Sequence, residues 1–353
     1  MSKSTQAVPV IALVGLALCS LSSSLAGPLT LLNLEDLISK SQLIVVGEVV
    51  SLRERGTTEM VMSSGKVSAW IMEGELDVRA VLKGSSNSQT ISIHFLLPQL
   101  PTGIPGVGMH SCRTFFLKGA GNALEFTNPF YPSVISVPDT PISGADVITR
   151  VIDQVGAVLN SAKASPNQKL EAISVLRRTK NPAAHAALRR AIHEKDQSAR
   201  LDAIAALLER NDISALSIAE AALMKAQQDV PEHILHNVRY AIGWGVTDEK
   251  AIPILARMIG ASNAETRRAA TLALWHTGSS AALKHLSVAL DDSEFEVRYY
   301  AIVGLAEISG QRAWRPNMDE FKLDEKRYLK HWLEWRKTHS SSLSSSPLAF
   351  LSY

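Results

Sequence analysis

Between residues 172 and 305 one apolar spacing keeps returning at intervals of 31 residues, and nothing else in this 353-residue chain constrains its fold as much. The markers are Ala172 and Leu176, Ala203 and Leu207, Ala270 and Leu274, and Ala301 and Leu305, with steps of 31, 67 and 31 residues. The long step equals one repeat plus one repeat lengthened by five residues. Within each marker pair the i, i+4 spacing puts both side chains on one face of a helix. A second stripe, spaced i, i+3, i+7, recurs in three places: Leu216, Ala219 and Leu223; Ile252, Leu255 and Ile259; Leu283, Leu286 and Leu290. One step earlier His185, Leu188 and Ile192 take the same places, with His185 departing from the apolar rule. Each unit therefore reads as a helix pair in which alanine allows close approach. So small a pair cannot bury its stripe alone, and neighbouring units must stack.

The unit that begins near His236 fits less well. Strict register puts Arg239 and Gly243 at its marker positions, which predicts a slipped helix, and the five extra residues are expected in a long loop over 225–237. Gly278 and Gly310 stand where a C-cap is wanted. Ser262 or Asn263, and Asp292 or Ser293, are the candidate caps of the units that follow. Beyond Gly310 the pattern decays, because Arg315-Pro316 interrupts the stripe of Trp314, Asn317 and Phe321. A charged helix over 324–337, with Tyr328, Trp332 and Trp335 on one side, is expected to cap the array. Residues 264–290 and 296–310 are similar to bacterial HEAT-like repeats, and the resemblance extends over 165–310. It implies an α-solenoid of about five helix pairs that binds another protein. Repeats of this type also occur in phycobilin lyases, which keeps an enzyme as the alternative reading.

The first half has a different period. Residues 42–52 are rich in Val and Ile, with Gly47 at an expected bulge. Leu76, Val78, Ala80 and Leu82 alternate within a run over 70–83, and Ile91, Ile93 and Phe95 alternate after a turn at residues 84–87. Two further strands are expected over 113–118 and 124–126, which makes a small barrel or sandwich. A short helix over 34–40, the run SQLIVVGEVVSL, and the strand ends VLKG and TFFLKG come in an order that resembles small OB-like β domains of secreted bacterial proteins. The fold class is thus α+β and multidomain, with an OB-like domain over 28–127, a Pro-rich linker over 128–145, and a solenoid with its cap over 146–337. Such β domains are somewhat similar to tissue metalloprotease inhibitors, but those depend on an N-terminal cysteine that the processed chain would lack.

Residues 1–26 have the order of a secretory signal peptide: Lys3, an apolar stretch over 8–18, then small residues up to Ala26. The apolar stretch is shorter than the roughly 20 residues of a membrane span. The chain is therefore expected to be exported, to the periplasm or the outside, with cleavage near Gly27. Lipidation at Cys19 is disfavoured, because Leu18 stands where a lipobox wants a small residue. Cys112 would then be the sole thiol, so no internal disulfide is expected. A Ser-rich tail occupies 338–353.

Lys and Arg total 36 against 34 acidic residues, which gives no push toward nucleic acid. No phosphate loop, dinucleotide fingerprint or nucleophile elbow is present. His233 and His236 lack the further ligands of a metal site. No cofactor, metal or catalytic residue is expected. Arg189, Arg190, Arg257 and Lys284 lie on second helices outside the apolar stripe, and are the candidate partner-binding residues. Trp244 and Trp275, 31 residues apart, lie on equivalent faces and are expected to pack between repeats.

Overall fold

The computed structural model describes residues 34–340, apart from 63–64, 100–106, 121–122 and 226–229. The expected signal peptide with Cys19, and residues 341–353 of the expected tail, lie outside the described residues. The chain divides between Val158 and Leu159 into two compact units.

In the first unit helix α1, Leu34–Lys40, buries Leu34, Leu37 and Ile38. Strands β1 (Leu43–Met62), β2 (Gly65–Lys83), β3 (Thr90–Pro98), β4 (Arg113–Ala120), β5 (Ala123–Phe126) and β6 (Ser133–Ile135) form one sheet. β1 pairs antiparallel with both β2 and β4, and β3 meets β5 in parallel at Ile93 and Leu124. The pairings β1, β2, β3, β5 and β4 thus return to β1. Alternate side chains of these strands turn to one interior, where Val45, Leu76, Ile93, Phe115, Leu117 and Phe126 are buried together. The register shifts at Val46/Gly47, where the bulge is expected.

Three features of this unit differ from the sequence reading. β1 and β2 each run well past the expected strands and pair down to Met62 and Gly65. Their outer halves carry too few apolar residues to read as strands. Cross-strand ion pairs join them there, Arg55 to Glu73 and Lys66 to Glu59 at 2.8 Å. The expected linker holds β6, whose Val134 and Ile135 are buried and pair with Thr114 and Arg113. The flanking prolines hid a strand this short. Helix α2, Val147–Asn160, continues through Val158 within the first compact unit, so the helical pattern from residue 146 is not yet the repeat array.

The second unit contains α3 (Pro166–Arg178), α4 (Pro182–Ala191), α5 (Gln197–Leu208), α6 (Leu216–Met224), α7 (Glu232–Gly245), α8 (Ile252–Met258), α9 (Ala264–His276), α10 (Leu283–Val288), α11 (Phe295–Ile308), α12 (Met318–Leu323) and α13 (Glu325–Thr338). α3, α5, α7, α9 and α11 are the first helices of five pairs, and each packs on the next. All eight marker residues are fully buried between them. Gly278 and Gly310 take the left-handed conformation, with φ of 62° and 76°, and end α9 and α11. Asn263 caps α9 by accepting from the Thr266 amide at 3.0 Å. Neither candidate cap of α11 takes that role; Asp292 instead faces Arg267.

The expected slip of the unit near His236 does not occur. Val238, Arg239, Ala241, Ile242 and Gly243 of α7 are buried at the positions of Ala269, Ala270, Leu272, Ala273 and Leu274 of α9. A buried arginine is tolerated there because Glu232 takes its Nη1 at 2.5 Å and the Thr266 hydroxyl lies 3.3 Å from its Nε. The extra residues fall between Met224 and Glu232, as expected.

A cation near the start of most first helices ties the repeats together. Arg267 donates to both oxygens of Asp292, at 2.7 and 2.9 Å, and to the carbonyl of Ala261 at 3.0 Å. One repeat later Arg298 donates to one oxygen of Glu325 at 2.6 Å and to the carbonyl of Asp292 at 2.8 Å. Lys169 holds Glu194 from the equivalent place on α3. On α7 that place is His236, which is exposed. At the far end α13 packs against α10, α11 and α12, with Trp332 fully buried.

Candidate functional site

The four cations singled out in the sequence have two different fates. Arg189 grips both oxygens of Asp212, at 2.7 and 3.1 Å, and the His185 Nε2 reaches the same carboxylate at 2.9 Å. This explains the histidine in an otherwise apolar stripe. The Arg189 guanidinium, helped by the amide and hydroxyl of Ser214, holds the Asp212 carboxyl well below the usual carboxylate range. Arg257 makes the same two-pronged contact with Glu220, at 2.6 and 2.7 Å. Both arginines thus staple one second helix to the next unit or the previous one. Arg190 and Lys284 are exposed and make no ion pair among the described residues. Periodicity could place these cations outside the apolar stripe. It could not show that Asp212 and Glu220 stand opposite two of them.

The other concentration of exposed chemistry lies on the first helices. Tyr240 and Trp244, one turn apart on α7, are 56% and 54% exposed. Their equivalents on α5, Ile204 and Leu208, are fully buried, as are Ile302 and Ala306 on α11. The Tyr240 and Trp244 ring centroids are 6.5 Å apart at 40°. Trp244 lies 5.3 Å from the His276 ring, which lies 4.8 Å from Trp275, and Trp275 stacks on Tyr300 at 6.3 Å. Position 276 is fixed by a 2.8 Å hydrogen bond between its Nδ1 and the carbonyl oxygen of Gly243. Trp275 donates its indole N–H to Glu307 at 2.6 Å. The expected packing between repeats therefore holds for Trp275, while Trp244 meets the next repeat at His276 and leaves about half its surface in solvent.

Beside Trp275 lies a cavity of about 560 Å³, lined also by Gly278, Glu307, Ile308, Arg312 and Arg315. Glu307 is engaged on both oxygens, by Trp275 and by Arg315 at 2.5 Å. Arg312 is exposed and makes no ion pair among the described residues.

His233 and His236 are both exposed, and the described residues hold no group of three ligands suited to a metal. Cys112 is buried, and desolvation pushes its thiol up to about 11, far from the pKa of a reactive nucleophile. No helix among the described residues is long and apolar enough to cross a membrane.

Residues 236–306, from α7 into α11, match the family model described as HEAT repeats. No curated protein matches the chain. Among solved structures, an engineered protein from the Northeast Structural Genomics Consortium is 15% identical over 58% of this chain and 62% of its own, with a TM-score of 0.33. A second engineered protein from the same source is 14% identical over 56% of this chain and 85% of its own, with a TM-score of 0.23. The chain thus spans less than two thirds of the first of these. The repeat register, the buried markers and the family match agree: a β-sheet unit is followed in this chain by HEAT-like helical repeats.

Proposed function

We propose that this chain is an exported, non-enzymatic scaffold that binds another protein through its helical repeats. The observation that carries the reading is the exposed pair Tyr240 and Trp244, which stands where α5 and α11 bury their side chains. Aromatic rings of this kind anchor protein interfaces, because they supply large contact area at low entropic cost. Arg190 and Lys284 supply exposed charge on the second helices, while Arg189 and Arg257 act as staples whose loss would loosen the array. The lyase alternative draws no support from the cavity beside Trp275, since its one carboxylate is already engaged on both oxygens. The test is photo-cross-linking from chosen positions in the full chain, with adducts expected from Tyr240 and not from the β1–β2 hairpin.

We read the returning circuit of strand pairings in the first unit as an OB-like barrel, and residues 1–26 as a cleaved leader of bacterial type. Export predicts that the processed protein begins at or near Gly27. N-terminal sequencing of secreted material checks this. A chain that starts at Met1 in the cytoplasmic fraction contradicts export and the single-thiol argument for Cys112.

A further inference from the structure

The partner's chemistry can be narrowed from the surface that runs from α7 to the turn after α11. The rings of Tyr240, Trp244, His276 and Trp275 follow one another at centroid steps of 6.5, 5.3 and 4.8 Å. Their planes are inclined by 40°, 45° and 39° rather than laid face to face. Such a run of touching rings offers a ridged aromatic surface, most open at Tyr240 and Trp244. Polyproline II segments dock on aromatic surfaces of this kind, because their rings are flat, their backbone is already extended, and little entropy is lost on docking.

Charge points to the second half of the partner. The carboxylates that border this run have protein partners. Glu265 and Glu296 are held by Arg268, Glu307 by Trp275 and Arg315, Glu232 by Arg239, and Glu249 by the Ser279 hydroxyl. The cavity at the end of the run keeps one exposed cation with no ion pair, Arg312. An acidic side chain entering that cavity would meet a cation that no protein carboxylate neutralises.

We propose that the first-helix face from Tyr240 to Arg312 binds an extended, proline-rich and acidic segment of a partner protein. Prolines pack on Tyr240, Trp244 and the His276 and Trp275 rings, and a carboxylate reaches Arg312. This rests on the scaffold reading and adds the partner's chemistry to it.

The test uses the full chain and fluorescein-labelled peptides followed by anisotropy. A peptide of Pro-Pro-Asp repeats is expected to bind saturably. Pro-Pro-Lys and Ser-Ser-Asp peptides are each expected to bind about tenfold more weakly or worse, the first because its charge has the wrong sign and the second for want of rings. The double variant Tyr240→Ser with Trp244→Ser, and separately Arg312→Glu, should each weaken the Pro-Pro-Asp peptide about tenfold. All these positions are exposed, so the variants should melt with the parent. Melting is recorded beside binding, and Tyr240→Phe, which keeps the ring, should bind as the parent does. Equal binding of the Ser-Ser-Asp peptide overturns the aromatic half of the proposal, and equal binding of the Pro-Pro-Lys peptide overturns the acidic half. No saturable binding, or binding that both variants leave unchanged, overturns it altogether. If the peptides fail while partner cross-links still form from position 240, the scaffold reading stands and only the partner's chemistry falls.

Discussion

Leu286→Asp is expected to unfold most of the repeat array. Leu286 is fully buried on α10, and its Cδ1 lies against Gly304 of α11. An aspartate there leaves an ionised carboxylate without a partner or buries a protonated one unpaired. Either outcome costs several kcal/mol, and a loss of about 4 kcal/mol or more is a large share of a domain's stability. Lys284→Asp, two residues away but exposed, should stay within about 0.5 kcal/mol of the parent. Thermal and denaturant melts of both variants read the difference. A Leu286→Asp protein that melts with the parent refutes the assignment of residues 283, 286 and 290 to the buried stripe.

A second large effect is expected at the join of α5 and α7. Gly245 ends α7 against the C-terminal end of α5. A Cβ there would run into the carbonyl oxygen of Leu208 and stand 2.6 Å from the Glu209 Cα. Both neighbours are backbone, so no side chain can swing aside, and the two helices must part. Gly245→Ala should therefore cost about 2–3 kcal/mol, in the range of other overpacked sites. Gly260→Ala is the control, because its Cβ would find only the Arg257 carbonyl at 3.4 Å. If the two alanine variants melt alike, α5 and α7 are not packed as described.

The repeat array was legible because burial repeats with the chain. A stack of equivalent helices imposes one spacing again and again, so Ala203 and Leu207 announce Ala270 and Leu274. Register holds at α7 as well, and residue chemistry misled there, because Arg239 and Gly243 do not look like core residues. Position was conserved there while chemistry was not, since Glu232 and Thr266 absorb the arginine's charge. The long β1–β2 hairpin was half hidden for the opposite reason. Its outer part is held by backbone pairing and ion pairs, which leave no alternation of apolar residues to detect.

The candidate site was less legible. Sequence spacing places Arg189 and Arg257 on exposed faces, but their carboxylate partners lie 23 and 37 residues away. Trp244 and Trp275 share a register and looked alike for that reason. What separates them is cover: Trp275 bonds to Glu307 and stacks on Tyr300, while Trp244 keeps about half its surface in water. Exposure of one repeat's face depends on how its neighbours cover it, and a period in the sequence carries no record of that.

The claim that the repeats are the binding surface is tested most directly by photo-cross-linking in the cells that make this protein. A benzophenone amino acid replaces Tyr240, Trp244, Val288 or Val61, one at a time, in the full chain. All four are exposed, with Val61 on the β1–β2 hairpin and Val288 on a second helix. Positions 240 and 244 are expected to give one and the same protein adduct and position 61 none, while position 288, one turn from Lys284, reports whether the second helices share that partner. An adduct formed from position 61 and absent from 240 and 244 would contradict it, and would move the binding function to the β-sheet unit.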